Sequence, residues 1–344
     1  MPQLDTVVVG GGPAGLSAAL ALGRARRRVL VFDTGRPANI ESSAIGGLLG
    51  HSGVAPVELR RAGREQLVDL PTVEVRDAAV VDAAVGPEQI RVRLCDGSEL
   101  RTRALVLAHG LSYEPPALSG IEQLWGRSVF HCPFCDGWEV RDRALAVHGN
   151  GPEVARSAPV VSGWSSDVVL LTDGPACLGD GGRELLAAAG VRVREEPVRR
   201  LAGHDGRLDR IEFASGPAEE RDALFVRTRR EQPNGLAAAL GCELTAGGTI
   251  LTDGDGRTAV AGVYAAGDTA TERLRSVAAA IGTGSRAALA VAVDYLPIGP
   301  LPKRNLDPLG GGLEELDRVA GGIVEQDLLA AGAAHDVAAK REPG

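Results

Sequence analysis

Thr6-Val7-Val8-Val9-Gly10-Gly11-Gly12-Pro13-Ala14-Gly15-Leu16 is the stretch that decides the fold. A β-branched run enters a glycine turn, and an apolar helical pattern from Leu16 to Leu22 leaves it. The spacing Gly10-x-Gly12-x-x-Gly15 is the dinucleotide fingerprint. Its glycines permit a tight turn and a close backbone approach, and the helix opened by Pro13 and Ala14 aims its N-terminus at a pyrophosphate. A second strand, Val29 to Phe32, ends at Asp33, whose carboxylate is placed to accept hydrogen bonds from an adenosine ribose.

The same order returns downstream. Ala144 to Val147 reads as a strand, Gly149-Asn150-Gly151 as a glycine turn, Pro152 to Val161 as a helix, and Val168 to Leu171 as a strand ending near Asp173. From Gly10 to Asp33 is 23 residues and from Gly149 to Asp173 is 24, so a duplicated fold is the economical reading. Asp96-Gly97 between two alternating runs, Ile90 to Leu94 and Leu100 to Leu107, predicts a hairpin interrupting the first unit. His204-Asp205-Gly206, before a strand from Arg210 to Phe213, predicts its counterpart in the second. Gly262 to Asp268 reads as a strand ending in Gly267-Asp268, followed by a helix to about Tyr295. The expected class is α/β, with two Rossmann-like, three-layer ββα nucleotide-binding domains. The first is discontinuous, 1–115 and 250–300, and the inserted second spans 116–249. The remaining 301–344 form a C-terminal extension with helical spacing at Leu313, Leu316, Val319, Ile323 and Leu328.

Composition narrows the partners. A length of 344 residues exceeds one ordinary core, and 44% hydrophobic residues suffice to fill two. A net charge of −8 argues against nucleic acid. Neither a signal-peptide pattern after Met1 nor an uninterrupted apolar stretch of membrane-spanning length is seen, since Arg286 and Asp294 break the segment from Val277 to Tyr295. The expectation is a cytoplasmic protein with no membrane partner.

Five cysteines comprise one close pair, Cys132 and Cys135, and three isolated thiols, Cys95, Cys177 and Cys242, which are expected to be buried apolar fillers. Within His131-Cys132-Pro133-Phe134-Cys135-Asp136 the two thiols can close a small disulfide ring. Half a zinc site is the competing reading, but no second pair of ligands has metal spacing. Asp136 is a candidate proton donor or acceptor for thiol–disulfide exchange, although an acid there also suits a helix start; His131 is the weaker candidate. Gly267-Asp268, between a strand and a helix, follows the pattern of enzymes that hold the ribityl chain of FAD with that Asp. The helix start near Arg275-Ser276-Val277 could then face the flavin.

Over roughly residues 4 to 297 the chain resembles the low-molecular-weight thioredoxin reductases, on Gly10 to Gly15, Leu107-Ala108-His109-Gly110, Cys132 to Gly137 and Gly267-Asp268. The resemblance implies FAD as cofactor, with Ala108, Gly110 and Arg275 to Val277 among its contacts, and a homodimer. It places Cys135 against the flavin, gives Cys132 the attack on the external sulfur, and makes Asp136 the acid or base. Ser276 stands where the family has Gln. The second fold departs further, because Leu171-Thr172-Asp173-Gly174 lacks the arginines that read the 2′-phosphate of NADPH. Val154 replaces a small fingerprint residue, and Pro159 sits inside the expected helix. NAD(P)H is disfavoured there, NADPH more than NADH.

His131 to Glu139, with Trp138-Glu139, is closer to the dithiol oxidases of the same superfamily, of the gliotoxin and holomycin type, which close small-molecule disulfides and use oxygen as acceptor. The expected function is FAD-dependent oxidation of a small-molecule dithiol. The alternatives are an NAD(P)H-dependent reductase of thioredoxin or a small disulfide, and a flavin-binding regulatory protein without turnover.

Overall fold

A computed structural model describes residues 4–270 and 275–295 of the chain. The opening run forms the strand Leu4–Val9 and the helix Pro13–Arg24. Leu4–Val9 pairs in parallel with Val29–Asp33 on one side and Glu99–Leu107 on the other. Val73–Asp77 and Val263–Ala265 flank these, so the parallel part begins and ends in distant parts of the chain. All five residues of Val29–Asp33 are buried, as expected of a parallel strand covered on both faces. Val7, Phe32, Leu105 and Leu107 pack on one side of this sheet, and Val8, Ala18, Leu22 and Val106 on the other. Two glycines are dictated by the strand-to-helix turn. Gly10 has φ +108°, and a Cβ there would lie 2.4 Å from the Ala108 carbonyl oxygen; one on Gly15 would lie 1.8 Å from that of Gly10.

The anticipated hairpin is present. Ile90–Leu94 runs antiparallel to the first half of Glu99–Leu107, and Val80–Val85 extends the meander, completing a seven-stranded sheet. The second unit repeats the plan. Arg192–Arg194, Val168–Leu171, Leu145–His148, Ala223–Val226 and Val129–Phe130 form a five-stranded parallel sheet in that order. Val198–His204, Arg207–Phe213 and Glu219–Glu220 form its antiparallel companion. Where the chain passes between the two units, Ser112–Glu114 pairs antiparallel with Arg229–Glu231 in a two-stranded ribbon.

The helix Val277–Asp294 has the length and mean hydropathy, 1.3, of a membrane-crossing helix. It is tied to the first helix, with the Ser17 hydroxyl donating to the Ile281 carbonyl at 2.9 Å. In the second unit the helix Pro152–Val161 accommodates Pro159 near its end.

One expectation is corrected. Cys95 and Cys177 are exposed, and only Cys242 of the three single thiols is buried; Cys95 follows Leu94, the last core-facing residue of its strand, and enters the Asp96-Gly97 turn. Asp136 lies in the single turn of the helix Pro133–Asp136, so an acid at the helix start and a proton carrier are both readings its position allows. The extension 301–344, with its anticipated helix, lies outside the described residues.

Candidate active site

A cleft of about 1490 Å³ joins the two units. Gly10, Gly12, Pro13, Ala14 and Asp33 line one end, with Ala108 and Gly110 beside them. Gly267, Asp268, Arg275, Ser276 and Val277 form a second wall, and His131, Cys132, Cys135 and Asp136 a third. Gly15 is buried in the first turn of its helix, packed against the Gly10 carbonyl. Residues named from six separate stretches of sequence thus meet around one space.

The glycine end suits a large phosphate-bearing cofactor. Gly12 is extended, and a Cβ there would meet nothing within 4 Å, leaving open room ahead of the helix N-terminus. Ser276 caps the helix Val277–Asp294 by accepting from the Ala279 amide at 3.1 Å, which gives the Ser at this position a physical reason. Nε of Arg275 is buried and has no hydrogen-bond partner among the described residues, an orphaned donor beside the cleft. Asp33 is 5% exposed and already held: Arg60 Nε donates to its Oδ2 at 2.8 Å, Arg64 at 3.3 Å, and the Gly35 amide to its Oδ1 at 3.0 Å. Arg60 and Arg64 were missed in the sequence, although their four-residue spacing on the helix Pro56–Val68 sets them on one face.

At the sulfur end, Cys132 and Cys135 form a disulfide with Cα atoms 5.3 Å apart. A single helical turn sets them three positions apart, with the Cys135 amide donating to the Cys132 carbonyl at 3.1 Å. Burial, with the nearby Glu139 charge second, pushes the Asp136 carboxyl up to about 7, where it can both take and give a proton at neutral pH. His131 is exposed to the cleft, and desolvation, followed by the charges of Arg230 and Arg275, lowers its pKa. It is therefore neutral at physiological pH, and of the two sequence candidates Asp136 is the one matched to proton transfer. Phe134, between the cysteines, is 78% exposed, its ring edge-on to Trp164 at 5.3 Å.

The second glycine turn is closed on itself. Asn150 Oδ1 accepts from the Gly151 amide at 2.9 Å and the Cys177 amide at 2.8 Å. Its Nδ2 donates to the carbonyls of Thr172 and Pro175 at 3.1 and 2.9 Å. The Val154 side chain is fully buried, and a Cβ on Gly149 would sit 3.0 Å from it. Glu153 adds a negative charge to the first helical turn, ion-paired with Arg227. Asp173 turns back, its Oδ1 accepting from the Val198 amide at 2.7 Å. Of the amides a pyrophosphate would need, that of Gly151 is already taken.

Two nucleotide folds sharing a cleft with a closed sulfur pair define a disulfide oxidoreductase. The chain belongs to the pyridine nucleotide-disulphide oxidoreductase family, whose profile matches residues 4–284. It is an enzyme of the thioredoxin reductase-like branch, a group built around a flavin and often served by NAD(P)H. Thioredoxin reductase tcpT of Claviceps purpurea (strain 20.1) is 31% identical over 282 residues, 77% of this chain and 86% of that one. Thioredoxin reductase sirT of Leptosphaeria maculans is 30% identical over 297 residues, 81% of this chain and 90% of that one. Among solved structures, HlmI superposes with a TM-score of 0.79 at 40% identity, over 84% of this chain and 91% of that one. The oxidoreductase from Agrobacterium tumefaciens gives 0.79 at 33% identity, over 85% and 98%.

Proposed function

We propose that this enzyme holds FAD and oxidises small-molecule dithiols to disulfides, with oxygen as the final acceptor. The observation that carries the reading is the state of the second glycine turn: Gly151 has open room at its Cβ position just as Gly12 does, but its amide is consumed by Asn150, and of the two only Gly12 lines the cleft. On this reading 1–115 and 250–300 form the FAD domain and 116–249 the inserted domain. Gly10 to Gly15 would hold the pyrophosphate, Asp33 the adenosine ribose and Asp268 the ribityl chain, with Arg275 to Val277 at the flavin. Bound there, FAD would accept two electrons from the reduced cysteine pair and pass them to oxygen.

The chain's own residues do the sulfur chemistry. Asp136, poised near neutrality, takes the proton of a substrate thiol; the thiolate attacks Cys132 Sγ, the Cys132–Cys135 bond breaks, and Cys135 leaves as thiolate. The second substrate thiol then displaces Cys132, which releases the cyclic disulfide and leaves both cysteines reduced. Two protons and two electrons have moved from substrate to enzyme. The decisive assay is oxygen consumption by the FAD-loaded protein with dithiothreitol, alongside NADPH oxidation with thioredoxin. Dithiol-dependent oxygen uptake is expected. The relatives named as thioredoxin reductases favour the second reading, NAD(P)H-dependent disulfide reduction. Rapid NADPH consumption with thioredoxin would establish that reading and overturn ours.

A further inference from the structure

Between the acid end of the cleft and the sulfur pair runs a connected set of rings with no part in the chemistry above. Tyr113 lies on the ribbon strand Ser112–Glu114, opposite Arg230. Its hydroxyl donates to Asp268 Oδ2 at 2.6 Å. The same ring stacks on His131, with centroids 4.6 Å and planes 28° apart, and His131 stacks in turn on Trp125 at 5.9 Å and 25°. His131 is covalently joined to Cys132. One phenol therefore grips the acid at the cofactor end and the residue on which the sulfur pair hangs.

The sulfur segment needs such a hold. Its helix, Pro133–Asp136, is a single turn, and the strand leading into it, Val129–Phe130, has two residues. A single helical turn, none of whose residues is buried, is not fixed by its own hydrogen bonds. Reacting atoms must nevertheless be held about 3–3.5 Å apart for efficient transfer, and a displacement of about 1 Å is costly.

We propose that Tyr113 is a positioning residue that straps the Cys132–Cys135 segment to Asp268, through its hydroxyl on one side and the His131–Trp125 stack on the other. The part concerning Asp268 rests on the assignment of FAD to this cleft. Burial pushes the Asp268 carboxyl up and the Tyr113 hydrogen bond opposes that shift, so the phenol also helps to keep the acid ionised as an acceptor.

Two variants separate the halves of the strap. Tyr113→Phe keeps the ring and loses the hydroxyl; Tyr113→Leu loses both. Amide hydrogen exchange over 129–137 is measured on flavin-free and FAD-loaded protein, with the FAD dissociation constant and the kcat and KM for dithiothreitol. In the Phe variant, which loses the Asp268 anchor and keeps the stack, exchange over 129–137 accelerates by less than in the Leu variant, FAD binding weakens roughly tenfold, and kcat falls at unchanged KM. In the Leu variant exchange over 129–137 also accelerates, by roughly tenfold or more, and kcat falls further. The strap is refuted if the Leu variant protects 129–137 as the wild type does, or if the Phe variant matches the wild type in both FAD affinity and kcat. Failure of the wild type to take up FAD would instead defeat the cofactor assignment, and exchange in the flavin-free protein would still judge the ring stack.

Discussion

Asp136→Asn replaces a half-buried acid by a neutral group of the same shape. The wild-type carboxyl holds its proton to about pH 7, against an ordinary 3.8, with burial the larger cause and the Glu139 charge the smaller. That difference corresponds to a ceiling of about 4 kcal/mol against the ionised form in the folded chain. Because the folded pKa lies above the unfolded one, the contribution to stability is complete below about pH 4 and is lost as pH rises towards 7. Asn carries no such dependence. Its stability relative to wild type should therefore climb between pH 4 and 7 and level off above, as read by denaturant unfolding across that range. In turnover, the wild-type dithiol oxidation rate should rise through pH 7 as Asp136 becomes a base. Asn should lower the neutral-pH rate by about 10²- to 10⁴-fold, the usual worth of a positioned acid–base group, and abolish that limb. A variant with the wild-type pH profile and a pH-independent stability difference would refute both the assignment of the proton to Asp136 and the electrostatics behind it.

Replacing either sulfur separates their roles. Cys135→Ser should leave Cys132 able to attack a linear small-molecule disulfide, releasing one half as thiol and keeping the other as a stable mixed disulfide visible by mass spectrometry, whereas Cys132→Ser should trap none; trapping on Cys135 alone would reverse the assignment. Two glycines of one fingerprint should respond differently. Gly10→Ala forces a side chain into φ +108° and against the Ala108 carbonyl, and should destabilise the fold by at least about 1–3 kcal/mol. Gly12→Ala meets no protein atom and should keep wild-type melting of the flavin-free protein while losing retained flavin. Equal loss of stability in both would contradict the reading of Gly12 as a ligand-facing position.

What was legible in the sequence is what short-range geometry controls. A glycine turn between a β-branched run and an apolar helical pattern marks each nucleotide fold, and Asp-Gly between alternating runs marks each hairpin, so both could be read directly. Two cysteines three positions apart on one turn likewise announce a disulfide. The contacts that rank the candidate residues depend on distant segments. Tyr113 reaches Asp268 across 155 positions. Asn150 closes its turn only because the loop after Val168–Leu171 returns to it. The proton affinity of Asp136 comes from desolvation, which no spacing encodes. Cys95 is different: its neighbours Asp96-Gly97 already mark a hairpin tip, so its exposure was readable.

The central claim concerns the direction from which electrons enter, and it is tested most directly by the visible flavin band of FAD-loaded protein under nitrogen. Stoichiometric dithiothreitol should bleach the band within the time of mixing, NADH and NADPH should leave it unchanged, and admitting oxygen should restore it. Bleaching by NADPH with no response to the dithiol would contradict the account.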